Sequence, residues 1–121
     1  MSTLKVNNLV EATSGGGTFS VTRAWVNFNH FSPTVRDSLN VSSVSDLTTG
    51  ELRVNMSNAM SSANYCALGS AADATQSVSG VVYPNDALLN TSTSINCVIE
   101  SHDGTQADRE YVGVSATGDL A

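Results

Sequence analysis

The stretch "RAWVNFNHF", Arg23–Phe31, decides the fold. Its residues alternate with the period-two rhythm of a β-strand, in which successive side chains point to opposite faces. Val26 and Phe28 fall on one face, and Trp25, Asn27 and Asn29 on the other. Both faces therefore carry large groups. The face of Val26 and Phe28 is expected to pack into the domain's own core, and the face of Trp25 to meet another copy of the chain. The reverse assignment, with Trp25 inside and Phe28 outside, stays open.

The same rhythm recurs on both sides of this stretch. "TVRDSLNVSSV" (34–44) reads as a second strand with Val35, Leu39 and Val41 on one face. That face also takes Asp37, an acid that needs a partner or a bulge to re-aim it. "ELRVNM" (51–56) alternates cleanly, and "TSINCVIES" (93–101) places Ile95, Cys97 and Ile99 on one side. "YCALGS" (65–70), "QSVSGVVY" (76–83) and "YVGVSA" (111–116) complete the set. Turn signals separate them, with Asp103-Gly104 expected at the tip of a hairpin. "SNAMSSAN" (57–64) is a connection with room for one helical turn, and the tail "TGDLA" reads as loose. No window carries the i, i+3, i+4, i+7 spacing of an amphipathic helix. The expectation is an all-β fold, an antiparallel β-sandwich of about seven strands, with a closed barrel as the alternative.

Composition agrees. Only 13% of the 121 residues are charged, while Ser, Thr and Asn number 18, 12 and 11. Hydroxyls and amides on solvent faces and in turns give such a balance in a short-stranded β protein. The net charge of −6 and five scattered cations argue against nucleic acid, which needs positive charge gathered on one face. They disfavour an anionic membrane surface as well. No run approaches the length of a membrane span, and no secretory leader is recognisable, so folding in a cytoplasm is expected. Cys66 and Cys97 read as small buried residues, with a disulfide disfavoured in a reducing compartment. Two cysteines without a CxxC and two distant histidines make no zinc spacing, so neither metal nor cofactor is expected.

The chain divides at "SGGG" (14–17). Residues 1–17 form an N-terminal strand and Gly-rich linker, and 18–121 the β domain. Leu4 and Val6 give the terminal segment an apolar face, which suits pairing with a neighbouring chain, docking to a sheet edge of another protein, or a frayed terminus. Catalytic signatures are missing: no G-x-S-x-G elbow, no phosphate-cradling loop, no calcium loop. A non-enzymatic module that binds or builds is expected.

"AWVNFN" (24–29), "VRDSLNVSSVSD" (35–46) and "LRVNMSNAMSSANYCALGS" (52–70) follow one another in an order that resembles the C-terminal domain of tail-fibre-like proteins of tailed bacteriophages of marine and cyanobacterial hosts. The likeness covers residues 22–70. It departs at "HFSP" (30–33), where the family has a Gly-Thr-rich turn, and at Ser61, where the family has proline. The resemblance implies a homotrimeric structural protein of the virion, assembled in the host cytoplasm, that attaches to a host cell-surface glycan or protein. Trp25 and Asn27 would then lie at the oligomer interface. Loop candidates for receptor contact are His30, Phe31, Tyr83, Asn85, Asp86, His102 and Asp103, since aromatic rings beside amides and carboxylates suit sugars. A small capsid, neck or baseplate decoration protein, docked to other virion proteins through Leu4 and Val6, is the first alternative. A monomeric carbohydrate-binding module is the second.

Overall fold

The computed structural model describes residues 21–74, 79–85 and 87–121. Eight strands run in chain order: β1 Thr22–Asn29, β2 Thr34–Leu39, β3 Val41–Thr48, β4 Glu51–Met56, β5 Cys66–Ala72, β6 Ser79–Pro84, β7 Ser94–Ser101 and β8 Tyr111–Thr117. All neighbours are antiparallel, and they form one sheet in the order β2-β1-β8-β5-β6-β7-β4-β3. The expected all-β antiparallel character is present. In place of the two sheets of a sandwich, hydrogen bonding links every strand into a single sheet, curled until its two edges approach. No helix of the described residues is long and apolar enough to cross a membrane.

The near closure has a local cause. The two edge strands, β2 and β3, are consecutive in the chain and separated only by Asn40. Asn40 stands at φ 54°, a left-handed conformation that asparagine tolerates better than most residues. Its side chain fixes the corner: Oδ1 accepts from the Asn58 backbone N–H at 2.7 Å, and Nδ2 donates to the Asn58 carbonyl at 3.1 Å. The single strand expected over 34–44 is therefore two strands meeting at a corner that joins opposite edges of the sheet.

A second irregularity resolves Asp37. Register on β1–β2 shifts between Asn27 and Phe28, so that Asn27 faces Asp37 while Phe28 faces Val35, and Arg36 is the extra residue. The bulge turns Asp37 and Leu39 outward beside Asn27 and Trp25. Leu39, 49% exposed, is thus a correction to the expected inward set.

Period two places the core. Ala24, Val26 and Phe28 from β1 meet Leu52, Val54 and Met56 from β4, Ile95, Cys97 and Ile99 from β7, and Val112, Val114 and Ala116 from β8. Each large aliphatic here stabilises the fold by about 1.5–3 kcal/mol through removal from water. β7 is buried on both faces from Ser94 to Ile99 because the segment after β6 folds over its outer side: Asn96 donates to the Leu89 carbonyl at 2.9 Å and receives Arg53 Nε at 2.8 Å.

Other expectations are corrected. β7 and β8 are not neighbours, so 102–110 is no simple hairpin; after the Asp103-Gly104 tip the chain crosses the end of the barrel. There the Ile99 carbonyl accepts the Ala107 N–H at 3.1 Å, and the Arg109 carbonyl accepts the His30 N–H at 3.0 Å. The tail is held: Asp119 O accepts from Ser61 N at 2.8 Å, and Ala121 N donates to Ala59 O at 2.9 Å. Of the cysteines, both free, Cys97 is buried and Cys66 is exposed. Leu4, Val6 and the boundary near residue 17 lie outside the described residues, as does Asp86.

Candidate functional site

The outward side chains of β1, β8 and β5 form three rows across the sheet. Trp25, Ser115 and Leu68 share the first, Asn27, Gly113 and Ser70 the second, and Tyr111 and Ala72 belong to the third. The middle row is low because Gly113 has no side chain. The result is a trough of about 580 Å³, with an aromatic ring toward each end. The volume falls within the ordinary range of small-ligand sites. Leu68 is 67% exposed and Tyr111 45%, while Trp25 is half-buried.

Arg36, released from the ladder by the bulge, reaches over β1 to this face. Its guanidinium stacks 4.4 Å from the centre of the Tyr111 ring. Nη1 donates to the Glu110 carbonyl at 2.7 Å, the Phe28 carbonyl at 3.3 Å and Asn27 Oδ1 at 3.3 Å. The arginine therefore orients both the tyrosine and the asparagine amide. Bulges commonly re-aim a side chain in this way. The trough lining offers ring faces, two serine hydroxyls and amide donors; among the described residues no histidine, cysteine or carboxylate lines it.

The second notable cluster closes the barrel end where β1, β3, β5 and β7 finish. His30 is the fourth inward residue of the series Ala24, Val26, Phe28, His30, and its side chain is fully buried. Nε2 lies 3.1 Å from Asp46 Oδ1, and Nδ1 lies 3.4 Å from Asp108 Oδ1. The ring packs tilted on Phe28 at 5.8 Å between centroids. Asp108 Oδ1 also accepts the Gly50 N–H at 2.8 Å. Beside it, buried Arg109 donates from Nη1 to Asp73 Oδ2 at 2.9 Å and from Nη2 to the Ser101 hydroxyl. These bonds tie three end segments to one another, which gives the cluster a structural task.

The structure divides the residues expected for receptor contact. Antiparallel alternation puts Phe31, His102 and Asp103 at the end just described, and Tyr83 and Asn85 toward the opposite end. Phe31 is 58% exposed, and His102 and Asp103 are exposed. Asp103 caps its own turn: it accepts the Thr105 N–H at 3.0 Å, and hydrogen bonding from Thr105 holds its carboxyl below the usual range. His30 and Asn85 are corrections, because both are buried. Asn85 Oδ1 accepts the N–H groups of Ala87 and Leu88 at 2.9 and 3.1 Å, an Asx turn that starts the segment covering β7. Tyr83 is half-buried on β6 opposite Val98. Trp25 and Asn27 do lie on the outer face, with Val26 and Phe28 in the core.

Sequence reasoning missed Leu68, Ser70, Gly113, Tyr111 and Arg36. Each is an outward residue of a strand, but only the pairing of β8 between β1 and β5 brings them together. The chain matches no family model, and no curated protein or solved structure matches it.

Proposed function

We propose that this chain is the attachment domain of a tailed-phage virion appendage, assembled as a homotrimer, that works by binding a host surface. The observation that carries this reading is the trough between Trp25 and Tyr111, an aromatic concavity held on three adjacent strands of the sheet. The virion context rests on the resemblance over residues 22–70. Three copies would present three troughs, and linked sites convert weak single contacts into firm adhesion.

Trp25 and Asn27 have two possible uses in such a trimer: contact with a neighbouring protomer, or contact with the host. The lining favours the second. Subunit contacts are depleted in serine and alanine, so Ser70, Ala72 and Ser115 point to host contact, while Trp25 and Tyr111 suit either use. The exposed Leu68 favours the first use, which is kept as a second reading.

Light scattering and adhesion of labelled protein to a panel of bacterial isolates, run on wild type and Trp25→Ala, test the proposal. A mass of three chains, with adhesion that drops in the variant while the mass holds, is the expected outcome. Dissociation of Trp25→Ala would make the face a protomer contact. A monomer that adheres to no isolate overturns the attachment reading.

A further inference from the structure

We propose that the trough is a saccharide site that takes a short neutral oligosaccharide, its pyranose faces lying on Trp25 and Tyr111 and its hydroxyls meeting Asn27, Ser70 and Ser115. The inference rests on the reading of this face as the working surface of an attachment protein, and it names the ligand.

Spacing comes first. Trp25 pairs with Ser115, and Tyr111 lies four residues along the same strand, about 13 Å away at the rise of an extended chain. Gly113 is midway. A Cβ built there would stand 3.2 Å from Ser70 Oγ, so the absence of a side chain is what keeps the floor open. Two ring platforms separated by a low polar floor suit an elongated ligand with alternating apolar faces and hydroxyl edges. A sugar chain has that character: each pyranose presents a C–H face and a rim of hydroxyls.

The polar groups match the rim. Asn27, which lines the trough, accepts from Arg36 at Oδ1 at 3.3 Å, and this bond orients its amide. Ser70 and Ser115 each donate or accept, as sugar hydroxyls require.

Charge decides between neutral and acidic sugars. Arg36 is the cation stacked on the Tyr111 end of the trough, and its guanidinium is occupied by two carbonyls, the Asn27 amide and the Tyr111 ring, with Glu110 Oε1 4.0 Å from Nη2. Among the described residues no charged side chain lines the trough, and the chain carries −6 overall. An acidic sugar would meet the net negative charge of the chain, and Arg36, with its donors engaged and Glu110 beside it, is not free to bind the sugar's carboxylate. Arg36 is thus a positioning residue for Asn27 and Tyr111.

Trp25 is the only tryptophan in the chain, so its emission reports on the trough directly. The test titrates the intact protein with neutral trisaccharides built from glucose, galactose, mannose or N-acetylglucosamine, and with sialylated and uronate-containing counterparts. At least one neutral trisaccharide is expected to change the emission saturably, and the acidic counterparts to bind at least several-fold more weakly. Gly113→Val raises the floor while keeping a good strand former, and should weaken binding tenfold or more with an unchanged melting temperature. Ser70→Val, at an exposed position, supplies an independent block of the same floor.

The inference is overturned if no neutral trisaccharide alters the emission, or if both floor variants bind like wild type. It is also overturned if the emission follows protein concentration instead of sugar, which would identify a second copy as the occupant. Adhesion separates the two proposals. Protein that adheres to cells but binds no sugar leaves the attachment reading standing and removes the saccharide. Protein that binds sugar at the trough but adheres to no cell does the reverse.

Discussion

Arg109→Met should destabilise the domain by about 3–5 kcal/mol, the range for removing one member of a buried ion pair. The magnitude follows from what Arg109 holds. The residue is 6% exposed, and its partner Asp73 has a side chain 14% exposed, so neither charge is well hydrated. The 2.9 Å bond from Nη1 to Asp73 links the segment before β8 to the end of β5, and Nη2 adds the end of β7 through Ser101. Methionine retains the length of the stem but leaves the Asp73 carboxylate half-desolvated and unpaired. Its remaining support is the Glu110 N–H at 3.3 Å from Oδ1. Urea unfolding of wild type, Arg109→Met, Asp73→Leu and the double variant forms the assay. The double variant should recover much of the loss, because the pair bears its own cost: Arg109 Nε is buried with no hydrogen-bond partner among the described residues. For a chain of 121 residues, a 3 kcal/mol loss lowers the melting temperature by roughly 10–15 °C. Single variants that each cost under about 1 kcal/mol would refute the argument, since that is the behaviour of a solvent-screened surface pair.

Asn40→Val should cost about 2–3 kcal/mol in chemical denaturation, combining a left-handed backbone at φ 54° with loss of the bonds to Asn58, and Asn40→Gly should cost less than Asn40→Val. Equal losses for the two would show that backbone strain contributes nothing. Gly50→Ala should destabilise by at least about 1–2 kcal/mol, because φ is +72° and a Cβ would stand 2.7 Å from both Ala107 N and Ile99 O; an unchanged urea midpoint would contradict this. Alkaline stability should fall from about pH 9. Burial pushes the Cys97 thiol up to about 12, so below pH 9 it is neutral in both states, and above it only the unfolded chain ionises. The slope is about 1.4 kcal/mol per pH unit, or about 2 kcal/mol by pH 10.5. Cys97→Ala should remove this slope and leave the later one from Tyr65, whose phenol is also pushed up to about 12 by burial and by its neighbour Cys97.

The core was legible because it is periodic. Val26, Phe28, Leu52, Val54, Ile95 and Ile99 all lie where alternation puts them. His30 obeyed the same rule, two residues after Phe28, but the following "FSP" suggested that the strand had already ended. Turn chemistry was legible where glycine or proline stood in it, as at Asp103-Gly104 and in "HFSP" (30–33). The Asn40 corner carries no glycine or proline, so the chain read straight through it. The bulge at Arg36 was visible only as a misplaced acid at Asp37. The trough was not legible at all, since Trp25, Tyr111 and Leu68 are 43 or more residues apart in pairs and become neighbours only through the placement of β8 between β1 and β5. Sequence separation of this kind leaves no local trace.

One property of β5 and β8 serves both faces of the sheet. β5 reads "CALGSAA", and its inward residues are Ala67, Gly69 and Ala71. A Cβ on Gly69 would fall 2.6 Å from Val82 Cγ1, so β6 can swing its valine over β5 only because that position is bare. That approach draws this side of the sheet into its curl. Outside, Ser70 and Gly113 are the low middle of the trough, between the taller Leu68 and Tyr111. Small residues thus let the sheet close on its inner side and leave a concavity on its outer side. Enlarging Gly69 and enlarging Gly113 should then have opposite signatures: the first a loss of stability from a clash with Val82, the second a loss of binding from a filled floor with the fold intact. If Gly113→Val lowered stability as much as Gly69→Val, the two faces would be coupled through strand placement, and the trough would be a by-product of packing instead of a surface free to be shaped for a ligand.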